Sequence, residues 1–223
     1  MDIGVLVFDG LTVLDAVGPY EVLSRLPGVS SLRWIGCGSA GSRSAGSAVG
    51  AGAVVRDDRD RVGLAVDVAM AEVDPASVDL LVVPGGYGTR PLMKDEAVLS
   101  WVRAVHEGSE WTTSVCTGSL VLGAAGLLDG VPATGHWLAR DLLASTGAVV
   151  VPDRVVREGK IVTAAGVSSG IDMALSLAAW IAGDEAAQSI QLAIEYDPQP
   201  PFDAGSPDKA PVAVVDRLRD RVG

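Results

Sequence analysis

The stretch TTSVCTGSL, residues 112–120, joins a run of β-branched and small residues to a helix-like run of Ala, Gly, Leu and Val. This pattern predicts a buried strand, a sharp turn at Cys116 and a helix that begins directly after it. A thiol at such a turn faces the positive end of the helix dipole, where free backbone N–H groups favour a thiolate and bind an oxyanion. The alternative is a buried structural cysteine, because free cysteines are among the most buried residues.

The rest of the chain also alternates between apolar strands and helices. Apolar runs predict further strands over residues 3–8, 31–37, 78–83 and 148–152, and Glu158-Gly159 closes a predicted hairpin. This alternation predicts an α/β fold, with a mostly parallel sheet and helices on both faces. Ligands bind such sheets beyond the carboxyl ends of the strands, which here are the loops after Phe8, Val83 and Val115.

Two segments interrupt this pattern. Residues 39–53 are rich in Gly, Ser and Ala and predict a loop. Residues 11–26 have helical character, but Gly18-Pro19 predicts a break, with Pro19 opening a second helical segment. Because the chain has neither an internal repeat nor a linker, we predict one domain over residues 1–223, with its core over about 3–210.

Composition restricts the partners and the compartment. With 28 acidic and 17 basic residues the net charge is -11, which argues against binding to nucleic acid or an anionic membrane. Two cysteines are too few for a disulfide framework and predict a reducing, cytoplasmic location. We also find no signal peptide and no apolar run of about 18 residues that could span a bilayer. Two histidines predict no metal site.

If Cys116 is a nucleophile, another side chain must handle protons. Asp15 follows the first strand among apolar neighbours, so it is either a buried carboxyl with a raised pKa or a helix N-cap. His136 is either the base of a Cys–His pair or an ordinary hydrogen-bonded histidine. Glu21 and His106 fit a surface better. The pair Gly85-Gly86 offers backbone N–H groups that can approach a ligand closely, or simply makes a tight turn.

Several motifs together resemble the ThiJ/PfpI superfamily. They are VLVFDG at residues 5–10 with Leu14-Asp15, GPYEVL at 18–23, DLLVVPGG at 79–86, VCTGS at 115–119 and GVSSGID at 166–172. The resemblance implies a flavodoxin-like three-layer sandwich with a nucleophile elbow, as in class I glutamine amidotransferases. Within this superfamily, residues 194–202 and the pair Cys116-Thr117 are most similar to the isonitrile hydratase branch.

Two departures from other branches support this interpretation. Thr117 stands where protease-like and glyoxalase-like members usually have a histidine, and Asp15 stands where the acidic partner is commonly a glutamate. Peptidase activity is therefore not expected. The resemblance implies that Cys116 adds to an isonitrile to give a thioimidate while Asp15 supplies a proton, and that water then releases an N-substituted formamide.

The resemblance also implies a set of supporting residues. Backbone groups of Gly85, Gly86 and Thr117, with the Thr117 hydroxyl, would bind charge or position water. Five residues would line the substrate pocket: Tyr87, His136, Trp137, Val167 and Ser168. The implied protein is a homodimer without cofactor or metal, whose partner is a small-molecule isonitrile.

Two other functions remain open. One is an aldehyde-handling enzyme of the glyoxalase or deglycase type. The other is a non-catalytic ligand sensor related to the domains of AraC-type regulators, although the acidic charge argues against direct DNA binding by this chain.

Overall fold

The computed structural model describes residues 1–38 and 49–220. Its eleven strands are β1 Asp2–Val7, β2 Ser31–Gly36, β3 Val54–Arg56, β4 Gly63–Ala65, β5 Val68–Ala69, β6 Leu80–Val83, β7 Trp111–Val115, β8 Pro132–Ala133, β9 Val149–Val150, β10 Val155–Glu158 and β11 Ile161–Ala164 within these residues. The helices of the same residues are α1 Val13–Leu23, α2 Thr89–Leu92, α3 Glu96–Gly108, α4 Gly118–Ala124, α5 Arg140–Ala144, α6 Ser169–Ala182, α7 Asp184–Ala193 and α8 Val212–Arg219. Of the predicted loop 39–53, residues 39–48 lie outside the described part.

Seven strands form the central sheet in the order β10-β11-β7-β6-β1-β2-β5. All neighbours pair in parallel except β10, which is antiparallel to β11 as the predicted hairpin requires. The small pairs β3–β4 and β8–β9 lie outside this sheet. The predicted α/β fold with a mostly parallel sheet is confirmed.

Buried apolar side chains explain why the central strands take these places. Every residue of β6 and β7 is buried, because helices cover both faces of the sheet. The chain passes from β1 to β2 through α1. It passes from β6 to β7 through α3, and this second crossover runs in the opposite direction along the sheet. Because such crossovers are right-handed, α1 and α3 lie on opposite faces. Helix α6 packs with α1, and α4 packs with α3.

Helix α1 corrects the prediction of a break at Gly18-Pro19. The helix runs through both residues, although Pro19 has no N–H to donate to the carbonyl of Asp15. Packing against α6 offsets this loss: a Cβ on Gly18 would already lie 3.1 Å from Ile171 Cγ1. The absence of a side chain at Gly18 therefore lets the two helices approach closely.

The topology also locates the site. Strand β1 pairs with β2 on one side and with β6 on the other, so the order of strands reverses at β1. The loops after β1, β6 and β7 meet at the carboxyl edge beside this reversal, where open α/β sheets bind ligands. One domain over the whole chain stays a prediction. None of the helices in the described residues is long and apolar enough to cross a membrane.

Candidate active site

Cys116 occupies a strained turn between β7 and α4. Its φ is +60°, a left-handed conformation that residues other than glycine rarely adopt. Its backbone N–H donates to the carbonyl of Ala165 at 2.7 Å, and a Cβ on Gly118 would overlap the carbonyl oxygen of Val83. A glycine two residues after the cysteine is therefore needed to bring α4 against β6, and the turn holds Cys116 in place with only 5% of its surface exposed.

The surroundings of the Cys116 sulfur oppose the expected thiolate. Burial, followed by the negative charge of Asp15, raises the pKa of the thiol above its ordinary value. Backbone N–H groups of Thr117 and Val167 point to the sulfur and lower the pKa in part. These surroundings favour the protonated thiol over the thiolate.

Asp15 lies beside this thiol, at the third position of α1 and with none of its surface exposed. It is not the N-cap, a position that belongs to Thr12. Burial raises the pKa of its carboxyl from 3.8 to about 7, against the lowering effect of hydrogen bonds from Gly85 N–H and the Cys116 side chain. This agrees with the prediction of a buried carboxyl with a raised pKa.

The two oxygens of the Asp15 carboxyl have different surroundings. Oδ2 accepts the Gly85 N–H at 3.0 Å, whereas Oδ1 is buried without a well-aligned donor in the described part of the chain. The thiol and carboxyl of Cys116 and Asp15 are thus in contact without forming a hydrogen bond of good geometry. Such contacts between catalytic groups often tighten only when substrate binds.

The backbone N–H groups of Gly85 and Gly86 bind other partners than the predicted ligand. Gly85 N–H holds the carboxyl of Asp15, and Gly86 N–H donates to Thr117 Oγ1 at 2.8 Å. Both N–H groups are therefore engaged by side chains of the site instead of being open to a ligand. Close packing explains the glycines, since a Cβ on Gly85 would lie 2.5 Å from the backbone nitrogen of Thr117 and 2.8 Å from Asp15 Oδ2.

A cleft of about 400 Å³ opens above the thiol. Cys116 and Thr117 line it together with Gly86, and three of the predicted pocket residues share it, namely Tyr87, His136 and Val167. The volume fits a small organic molecule. The structure thus brings the residues of four loops, those after β6, β7, β8 and β11, around one cleft.

Two predicted pocket residues lie elsewhere. Ser168 is exposed and its hydroxyl accepts a hydrogen bond from Arg154 Nη2 at 3.2 Å, away from the cleft. Trp137 lines a separate cavity, where the guanidinium of Arg219 lies 5.9 Å from its ring centroid. Each follows a pocket residue in sequence, but the backbone turns between the two, so that Val167 and His136 face the cleft and their neighbours do not.

His136 lines the cleft without forming the Cys–His pair that was considered. Its Nδ1 accepts the N–H of Leu138 at 3.3 Å, which leaves the proton of a neutral ring on Nε2. Burial, with the charges of Arg90 and Arg140, lowers its pKa. No bond between its ring and the Cys116 thiol occurs among the described residues. Glu21 pairs with Arg25 at the surface, as expected, whereas His106 is half-buried against Thr112.

Sequence reasoning missed four residues near the thiol. Arg90, Asp57 and Asp58 line the cleft, and Thr89 is a buried neighbour of Thr117. Asp58 lies at the site because its N–H donates to the carbonyl of Leu11 at 2.9 Å. No local sequence pattern predicts such a long-range contact. Thr89 could have been found from its position, because it lies only three residues after Gly86, at the start of α2. No group of His, Cys, Asp and Glu within the described ranges could hold a metal ion.

Comparison with known proteins finds close relatives. Residues 1–179 match the DJ-1/PfpI family. Over 222 residues the chain is 45% identical to an isonitrile hydratase of Pseudomonas putida, a match that covers 99% of this chain and 90% of that protein. A ThiJ/PfpI family protein from Pseudomonas syringae has a crystal structure with a TM-score of 0.88 and 35% identity, covering 99% of this chain and 85% of that one. Drosophila melanogaster DJ-1beta, at 22% identity and a TM-score of 0.73 over 88% of this chain and 98% of its own, shows the fold alone.

Proposed function

Because the chain belongs to the DJ-1/PfpI family, we propose that it is an isonitrile hydratase that forms N-substituted formamides with Cys116 as nucleophile. The observation that carries this proposal is the contact of the buried Asp15 carboxyl with the thiol of Cys116, a residue that lines the cleft. Extensive identity to an isonitrile hydratase supports the choice of substrate. The protein acts in the cytoplasm as a homodimer and uses no cofactor.

The first step adds the thiol across the terminal carbon of the isonitrile. The sulfur of Cys116 forms a bond to that carbon, and the carbon receives one proton from the Asp15–Cys116 pair. The product is a thioimidate, in which nitrogen is doubly bonded to a carbon that carries hydrogen and sulfur. Covalent catalysis of this kind divides one difficult hydration into two easier additions.

The proton balance of the pair suits this step. The addition consumes one proton and one sulfur electron pair, so the site must hold a single mobile proton shared between two groups. With a pKa of about 7, Asp15 can both take the proton from the thiol and pass it to carbon near neutral pH. A carboxyl of ordinary acidity would be ionised near neutral pH and would be a weaker base toward the thiol.

The second step consumes water. The water oxygen bonds to the thioimidate carbon and one water proton goes to nitrogen. The carbon–sulfur bond then breaks as the second water proton passes to sulfur, which releases the formamide and restores the thiol. The N–H groups of Thr117 and Val167, which point to the sulfur, stabilise the negative charge on sulfur as it leaves. The Thr117 hydroxyl, at the wall of the cleft, orients the water.

Turnover of para-nitrophenyl isocyanide tests the proposal directly. Wild-type protein should release the formamide, Cys116→Ala should release none, and Asp15→Asn should lose nearly all of its rate. Cys37→Ala, which removes the other free and buried cysteine, is the matched control and should leave the rate unchanged. Formamide release by Cys116→Ala would eliminate the mechanism.

Parallel assays separate the other functions. Turnover of methylglyoxal without turnover of the isonitrile would identify an aldehyde-handling enzyme. Turnover of neither compound would favour the ligand sensor. The hydratase is supported best, because Thr117 follows the thiol where glyoxalase-like members usually have a histidine, and Asp15 stands where their acidic partner is commonly a glutamate.

A further inference from the structure

Thr89, the first residue of α2, is a fully buried hydroxyl beside the cleft. Its Oγ1 donates to the carbonyl of Gly86 at 2.8 Å and lies 3.2 Å from Thr117 Oγ1. Its own N–H also reaches the Gly86 carbonyl, at 3.2 Å. Thr89 thus contacts the same carbonyl twice and touches the hydroxyl that follows the nucleophile.

The Thr117 hydroxyl competes for that carbonyl. Its oxygen accepts the Gly86 N–H at 2.8 Å and donates its own proton to the Gly86 carbonyl oxygen at 3.1 Å. A carbonyl oxygen has two lone pairs, and the N–H and O–H of Thr89 fill both. The hydrogen-bond distance from Thr89 is also the shorter one. Competition from Thr89 therefore weakens the bond of the Thr117 proton to this carbonyl, so that the proton can turn toward a water in the cleft.

We propose that Thr89 is a positioning residue that keeps the Thr117 hydroxyl proton available to the water of the second step. The inference rests on the proposed isonitrile hydration, because only there does a water have to be oriented. Without the Thr89 hydroxyl, the Thr117 proton keeps an uncontested bond to the Gly86 carbonyl and is no longer shared with the water. Addition of the thiol does not use this proton, so the loss falls on hydrolysis of the thioimidate.

Thr89→Val tests this, since valine matches threonine in shape and lacks the hydroxyl. We expect kcat and KM to fall together by about tenfold, the effect of one hydrogen bond lost from a transition state, with kcat/KM unchanged. The thioimidate should then accumulate during turnover, as measured by intact-protein mass after an acid quench. Thr89→Ser restores the hydroxyl and should restore kcat.

Thr113→Val is the matched control, because its buried Oγ1 donates to the Leu81 carbonyl at 2.8 Å within the same sheet but outside the cleft. It should not change kcat or the amount of thioimidate. Wild-type kcat in Thr89→Val, or a fall in kcat/KM shared with Thr113→Val, would overturn the role of Thr89 while leaving the hydratase proposal intact. A wild-type protein that hydrates no isonitrile would overturn both proposals.

Discussion

Replacing Asp15 by asparagine should stabilise the protein at neutral and alkaline pH while it removes activity. Burial holds the pKa of the folded carboxyl at about 7, above its ordinary 3.8. The folded state therefore binds this proton more tightly than the unfolded state. The resulting contribution of Asp15 to the free energy of unfolding is fully present below pH 3.8 and is lost as the pH rises through about 7. Asparagine carries no charge at any of these pH values, and its side-chain oxygen can still accept the Gly85 N–H.

The size of the effect follows from the shift. A rise from 3.8 to about 7 spans roughly three pKa units, which at 1.36 kcal/mol per unit corresponds to about 4 kcal/mol. The gain of Asp15→Asn over wild type should be near zero at the acid end, grow between these two pKa values and stay constant above 7. At pH 8 the variant should therefore unfold at a visibly higher urea concentration.

Urea unfolding followed by tryptophan fluorescence, at a series of pH values, measures this difference. Asp153→Asn is the control, since Asp153 is an exposed carboxylate far from the thiol in the sequence. It should show no comparable rise with pH. A difference between Asp15→Asn and wild type that does not vary with pH would refute the raised pKa, and with it the assignment of Asp15 as the proton donor.

Three further predictions concern the same site. Alkylation by iodoacetamide should label Cys116 but spare Cys37 in the folded protein. The labelling rate should still increase with pH above 8, because burial raises both thiol pKa values, that of Cys37 to about 12. Mass spectrometry of peptides measures the labelling of each cysteine, and equal labelling of the two would contradict this prediction. Gly85→Ala should lose most isonitrile turnover, because its Cβ would displace Asp15; unchanged kcat would contradict that packing. Arg90→Gln should raise the pKa of the His136 ring, because it removes a nearby positive charge, and an NMR titration would show this rise. An unchanged pKa would contradict an effect of the Arg90 charge on His136.

The fold was largely predictable because its signals are local. The apolar runs at β1, β6 and β7 each end at a glycine- or cysteine-containing turn, and parallel sheets bury such runs completely. The exception was α1, where Pro19 favoured a break. Packing of Gly18 against Ile171 on a distant helix offsets that local preference, and this contact is not visible in the sequence.

The site was predictable only in part, for a physical reason. Cys116, Asp15 and Thr117 could be found because motifs mark them, and the structure brings these three together. The partners of the backbone N–H groups could not be predicted from the sequence. Those of Gly85 and Gly86 donate to side chains within the site, namely Asp15 and Thr117. The balance of effects on the thiol pKa could not be predicted either, since desolvation depends on all the atoms around the sulfur and here raises that pKa.

Direct observation of the covalent adduct tests the central claim best. Wild-type protein mixed with excess para-nitrophenyl isocyanide and quenched in acid during turnover should gain the mass of one isonitrile, and fragmentation should place it on Cys116. Cys116→Ala should gain none. Formamide production by wild-type protein with no adduct on Cys116 at any quench time, or an adduct on another residue that forms and decays at the turnover rate, would contradict the account.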